Sequence, residues 1–193
     1  MSGFIYQTPA SAVSLAGGDK VIIRGTDPID LAPALETVEA GNVLYITLPV
    51  STAELIKITK IDNRLPVSFF VNGAKGELSR IYQLLPFIRS RRTRVSSSLH
   101  GGCLEAVRLA ASLDIPVKLE VGQPAPKQIE VLRSLLDFYL YGRGNTQPIE
   151  FFHSVFHSML HEQEANLWSI QEDDPKPTTD RVFQSTSKAF GVL

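Results

Sequence analysis

One cysteine, Cys103, is all that a chain of 193 residues contains. That rules out an intramolecular disulfide and suits a reducing cytosol. It equally rules out a cysteine-ligated iron–sulfur cluster or structural zinc site within this chain, since each needs several thiolates. Neither sign of charge is in excess: 19 basic against 20 acidic residues give a formal net charge of −1. No global field therefore draws the chain to nucleic acid or a membrane surface. No apolar run approaches the roughly 20 residues that span a bilayer. The opening MSGFIYQTPASAVSLAGGD lacks the basic stretch that begins a secretory signal. Walker, GxGxxG, GxSxG and HExxH motifs are all missing. The expectation is a single globular domain, cytoplasmic, without nucleic-acid or membrane partners.

What is present is an alternation of strand and helix patterns. Residues 1–18 read as a polar arm punctuated by glycine, and residues 19–146 as a βα core. Lys20–Arg24 (KVIIR) predicts a strand, followed by Asp27 as a helix cap with Pro28 at the first helical position. Val43–Leu48 predicts the next strand, and Ser51 with Glu54 has the spacing of a capping box. Pro66–Val71, Arg94–Leu99 and Pro116–Val121 read as three further strands. Glu77–Ile88, Cys103–Leu113 and Pro126–Leu140 read as amphipathic helices between and after them. Strand then helix about every 25 residues predicts an α/β fold of about five parallel βα units. RVSSSL and PVKLEV alternate apolar with polar residues, which fits a polar lumen better than a sheet covered on both faces. The expected architecture is thus a parallel sheet curved into an incomplete TIM-like barrel, with a flat, doubly wound sheet as the alternative. A C-terminal helical segment (147–175) and a polar tail (176–193) complete the single domain.

The block 147–175 holds three of the four histidines and the only tryptophan. His153, His157 and His161 recur every four residues, so on a helix they share one flank about 6 Å apart. Two imidazoles at that spacing can share a metal, which makes His153 and His157 candidate ligands, with Glu150 or His161 as a third. The outer pair lies about 12 Å apart along the axis, too far for all three to reach one ion. Ile149, Phe152, Val155, Phe156, Met159 and Leu160 form an apolar stripe beside them, so the plainer expectation is no metal and an amphipathic boundary helix. A third possibility is a docking surface made by Phe151, Phe152, His153, His157 and Trp168. Glu172, Asp173 and Asp174 look like a solvated acidic exit.

Arg89, Arg91, Arg92 and Arg94 form the single basic cluster. It complements a helix C-terminus, or else Arg91, Arg92 and Arg94 meet an acidic partner. At the expected C-terminal strand ends lie Asn72-Gly73 and His100-Gly101-Gly102-Cys103. Ligands bind at that edge in parallel α/β folds. A small enzyme using Asn72, His100 and Cys103 is therefore an alternative, since a cysteine at a helix start can have a lowered pKa.

Three strings carry a resemblance: VSSSLHGGCLEAVRLAASLDIPVKLEVGQPAP, LLDFYLYGRGNTQPIEFFHS and LWSIQEDDP, spread between about Arg94 and Pro175. They resemble a segment of radical SAM peptide-maturation systems. More narrowly, they are similar to the small partner proteins of spliceases, which excise a tyramine unit from precursor peptides. Radical SAM enzymes bind their cluster with a CxxxCxxC loop after the first barrel strand, where this chain reads Arg24-Gly25-Thr26-Asp27. The resemblance implies a cluster-free, non-catalytic accessory subunit that forms a heterodimer with a radical SAM maturase and supports modification of its precursor peptide. It implies S-adenosylmethionine and iron–sulfur clusters in the partner, and no cofactor in this chain.

Overall fold

The computed structural model describes residues 5–16, 18–53, 61–121, 125–142 and 147–160. Seven strands form one sheet, ordered sequentially from β1 to β7. They are β1 (Ile5–Pro9), β2 (Lys20–Arg24), β3 (Val43–Pro49), β4 (Val67–Phe70), β5 (Thr93–Ser98), β6 (Val117–Glu120) and β7 (Ile149–Glu150). Every neighbouring pair is parallel. The helices are α1 (Pro28–Glu36), α2 (Lys75–Leu78), α3 (Leu85–Ile88), α4 (Cys103–Ser112), α5 (Pro126–Tyr141) and α6 (Phe152–Leu160).

Sequential order selects between the two architectures. A doubly wound sheet reverses its strand order and so covers both faces with helices. Here each crossover steps in the same direction, and crossovers of one hand then all lie on one face. Burial agrees. Val21, Ile23, Ile46, Leu48, Val67, Phe69, Val95, Val117, Leu119 and Ile149 share one core with Leu31, Leu84, Ala106, Leu135 and Phe152 of the helical layer. Ile22 and Tyr45, on the opposite pleat, form a separate small cluster.

The face opposite the helical layer is concave. Arg24 on β2 and Glu120 on β6 approach to 3.7 Å. In a flat sheet those strands would stand about 19 Å apart, too far for an arginine and a glutamate to meet. The sheet is an open, curved wall, as its alternating strands predict.

Local rules place several elements. Asp27 Oδ1 accepts from the Ile29 amide at 2.8 Å, and Pro28 opens α1 with no N–H to leave unsatisfied. Gln128 Oε1 accepts from the Ala125 amide at 2.8 Å, closing the start of α5. The same side chain donates through Nε2 to Leu99 O at 2.9 Å, which ties that helix to the exit of β5.

Three expectations are corrected. Residues 5–16 are not an arm: Ile5–Pro9 is an edge strand and Ala10–Ala16 a 3-10 turn. Glu77–Ile88 is not one helix, because Ser79–Leu84 is 3-10 between two single helical turns. Ile149 and Glu150 do not open the last helix. They pair with Val117 and Lys118 as β7, and Phe151 at φ +90° turns the chain into α6. The capping partner Glu54 lies outside the described residues.

Candidate functional site

Alternation along each strand sends one residue to the helical layer and the next to the concave face. On that face stand Ile22 and Arg24 of β2, Tyr45 of β3 and Ser68 of β4. Beside them come Arg94 and Ser96 of β5, Lys118 and Glu120 of β6, and Glu150 of β7. Three cations and two carboxylates thus share a surface whose neighbours on the other pleat are all apolar or small.

Arg94 is the centre of the group and is 2% exposed. Its guanidinium carbon lies 3.6 Å from the Tyr45 ring centroid, and its Nε donates to Ser68 Oγ at 3.2 Å. Burial pulls its pKa down to about 10, against the attraction of Glu150 and Glu120. Arg24 reaches Glu120 from the opposite flank. With the Gln7 amide turned to satisfy its neighbours, its Oε1 accepts from Arg24 Nε and Nη2, both at 2.7 Å. Glu150 accepts from Ser154 Oγ at 3.0 Å, which anchors the carboxylate to the first turn of α6.

Two polar groups on this face have no hydrogen-bond partner among the described residues. One is the Ser96 hydroxyl, on a residue only 1% exposed. The other is the Lys118 amine, on the residue that pairs with Ser96 across β5 and β6. Burial lowers the Lys118 pKa to about 8, and Arg94 and Arg24 push it the same way while Glu120 and Glu150 resist. An amine in that condition is partly neutral near physiological pH and is a nucleophile as well as a cation.

The strand-end loops form a second, smaller constellation. Gly73 (φ +73°) and Gly102 (φ +88°) bring the turns after β4 and β5 into backbone contact. A Cβ on Gly73 would lie 2.7 Å from Gly101 O, so only glycine fits. This contact sets His100 Nε2 at 3.4 Å from Asn72 Oδ1, while His100 Nδ1 is buried without a partner among the described residues. Cys103 does not join them. It is fully buried under the sheet, and burial pushes its thiol pKa up. Desolvation outweighs the hydrogen bonds with Ser97 and the His100 backbone that would favour the thiolate, so the helix start does not activate this cysteine.

The basic cluster is not a surface patch. Arg91 is 9% exposed, donating through Nη2 to Asn63 Oδ1 at 2.6 Å. Arg94 points into the concave face. Of the four, Arg89 and Arg92 are exposed, Arg92 5.9 Å over the Tyr45 ring. The C-terminal candidates are divided as well. Phe152 is buried and stacks on Tyr139 at 5.6 Å, with Phe151 edge-on to it at 5.4 Å. His153 and His157 are exposed, with ring centroids 6.3 Å apart. Glu150 does not extend their helix: it lies in β7 on the concave face and accepts from Ser154 Oγ. Among the described residues no group of three His, Cys, Asp or Glu side chains could hold a metal ion. Trp168, His161 and the acidic run 172–174 lie outside the described residues.

Sequence reasoning did not single out Lys118, Glu120, Tyr45 or Ser96. Their signal was the period-two alternation of RVSSSL and PVKLEV, which marks a polar face without saying what gathers there.

Fold and site together define an α/β protein with an open, singly wound parallel sheet and a charged concave face. Among the described residues no helix is long and apolar enough to cross a membrane. Comparison with protein-family models, with curated proteins and with solved structures found no match.

Proposed function

We propose that this chain is a cluster-free accessory subunit of a radical SAM peptide maturase, holding a segment of precursor peptide against its concave face. The observation that carries this is the open parallel wall with a polar inner face and no cysteine in the loops after its first two strands. On this reading the cluster loop corresponds to the turn after β1 or the turn after β2. The turn after β1 reads Ala10-Ser11-Ala12-Val13, and the turn after β2 reads Arg24-Gly25-Thr26-Asp27. Neither offers a thiolate for a cluster, so the reading keeps S-adenosylmethionine and the iron–sulfur chemistry in the partner. A cytoplasmic setting follows from that chemistry. Exposed His153, His157, Met159 and Leu160 on α6 provide a surface for the partner subunit.

Co-expression of the tagged chain with a radical SAM maturase and its precursor peptide tests the proposal. The expected result is co-elution, and peptide modification that falls at least tenfold when this chain is omitted. Failure both to bind the maturase and to alter modification would sink it.

A second reading, a small enzyme, is favoured by one observation: Lys118 pairs in register with Ser96, whose buried hydroxyl has no hydrogen-bond partner among the described residues. It relocates the chemistry from Cys103 to the lumen.

A further inference from the structure

The concave face gathers an amine, two guanidinium groups, two carboxylates and an orphaned hydroxyl. Each group has a different status. Arg24 is engaged by Glu120 and Gln7, and Glu150 by Ser154. Arg94 is held by Tyr45 and Ser68. Lys118 has no hydrogen bond or ion pair among the described residues, although two glutamates flank it, Glu120 on its own strand and Glu150 opposite it on β7. A lysine placed there only for packing would be expected to take one of those carboxylates as a partner. A buried serine hydroxyl beside it with nothing to bond is a second, independent sign that something outside the chain completes the site.

We infer that Lys118 is a nucleophilic amine that condenses with the carbonyl group of a small aldehyde or ketone bearing a carboxylate or phosphate. Arg94 supplies the fixed positive charge for the anionic group. Ser96 Oγ donates to the same ligand, satisfying its buried hydroxyl.

The chemistry balances without an oxidant or reductant. The Lys118 Nζ lone pair attacks the carbonyl carbon, nitrogen loses one proton, and the carbonyl oxygen takes one up, giving a neutral carbinolamine. The C–O bond then breaks, the oxygen leaves as water after a second proton is delivered, and nitrogen becomes a protonated imine. Glu120 and Glu150 flank the amine and are the groups placed to carry those protons. The local field favours the condensation. Burial and the neighbouring guanidinium groups hold the amine partly neutral, whereas an exposed lysine is almost wholly protonated at pH 7.

This inference concerns the chain alone and stands whether or not a maturase binds it. The test uses the full-length protein without a partner. Pyridoxal 5′-phosphate serves as a probe aldehyde carrying an anionic group, sodium cyanoborohydride traps any imine, and mass spectrometry maps the adducts. Lys118 is expected to carry at least ten times the label of the exposed reference Lys127, with a labelling midpoint near pH 8. Pyridoxal, which lacks the phosphate, should label it at least fivefold less, and Arg94→Gln should erase that difference. Labelling spread evenly over the lysines, or absent from Lys118, would overturn the inference. Equal labelling by the two aldehydes would overturn the assignment of Arg94 as anion holder. Because the map is read on the unsubstituted protein, a poorly folding variant leaves the principal result intact.

Discussion

The guanidinium carbon of Arg94 on β5 lies 3.6 Å from the ring centroid of Tyr45 on β3, so the pair spans the strand between them. Ser68 on that intervening strand accepts from Arg94 Nε at 3.2 Å. A ring face and a hydroxyl thereby contact a buried cation that Glu150 and Glu120 also attract. Desolvated cation–π contacts contribute about 2 kcal/mol. Tyr45→Leu removes the ring and leaves the charge, so it should destabilise by about 2 kcal/mol. Arg94→Met removes the charge and leaves the buried Glu150 without its cationic neighbour, so it should destabilise more, by about 3–5 kcal/mol. Urea denaturation of the two variants checks both. Equal destabilisation by the two substitutions would contradict this account.

Lys118 predicts a pH dependence of stability. Its ordinary pKa of 10.5 falls to about 8 in the fold. Between those values the unfolded chain binds the extra proton, so stability increases as pH rises. The penalty is fully present below pH 8 and is lost as pH approaches 10.5. From pH 8 to 9.5 the gain is about 1.5 kcal/mol. Cys103 opposes it, since its raised thiol pKa makes the fold lose stability above the ordinary value of 9.0. The comparison is therefore made against Lys118→Met, which keeps the cysteine. Denaturant midpoints of the two proteins should diverge across this window, and parallel curves would count against a lowered lysine pKa.

The contact between the β4 and β5 turns is steric and unforgiving. Gly102 has φ +88°, and a Cβ there would overlap the Gly73 carbonyl oxygen. Left-handed geometry and overlap each cost a residue with a side chain about 1–2 kcal/mol. Gly102→Ala should destabilise by about 3 kcal/mol, measured by thermal or urea unfolding. Gly101, whose Cβ would meet nothing within 4 Å, is the matched control and should tolerate alanine.

Cys103 should be silent. It is 0% exposed, and burial raises its thiol pKa. A thiol reagent such as dithionitrobenzoate should react with the unfolded chain at least a hundredfold faster than with the native one. Rapid labelling of the native protein would restore the strand-end cysteine as a chemical candidate.

Some elements were legible because the causes are local. Asp27-Pro28 marks the start of α1 through one hydrogen bond and one missing N–H. The apolar-polar alternation of β5 and β6 disclosed a polar face, because a strand cannot hide which side each residue takes. Other elements were not legible for equally physical reasons. IYQTP is short and ends in proline, yet it holds as β1 because an edge strand pairs on one side only. Ile149 and Glu150 sit in a run with helical periodicity, and tertiary pairing with β6 overrides it.

By itself the sequence determined an α/β chain of parallel strands, one buried-prone cysteine, no thiolate set for a cluster, and a polar side to two strands. These follow from residue type and from spacing within a few positions. The tertiary structure decided which residues meet. Arg24 and Glu120 are 96 positions apart and touch because the sheet curves; Tyr45 and Arg94 are 49 apart and touch because one strand separates theirs. Curvature and strand order are properties of the whole wall, so no local pattern could have announced that Lys118 stands between two glutamates beside a buried arginine.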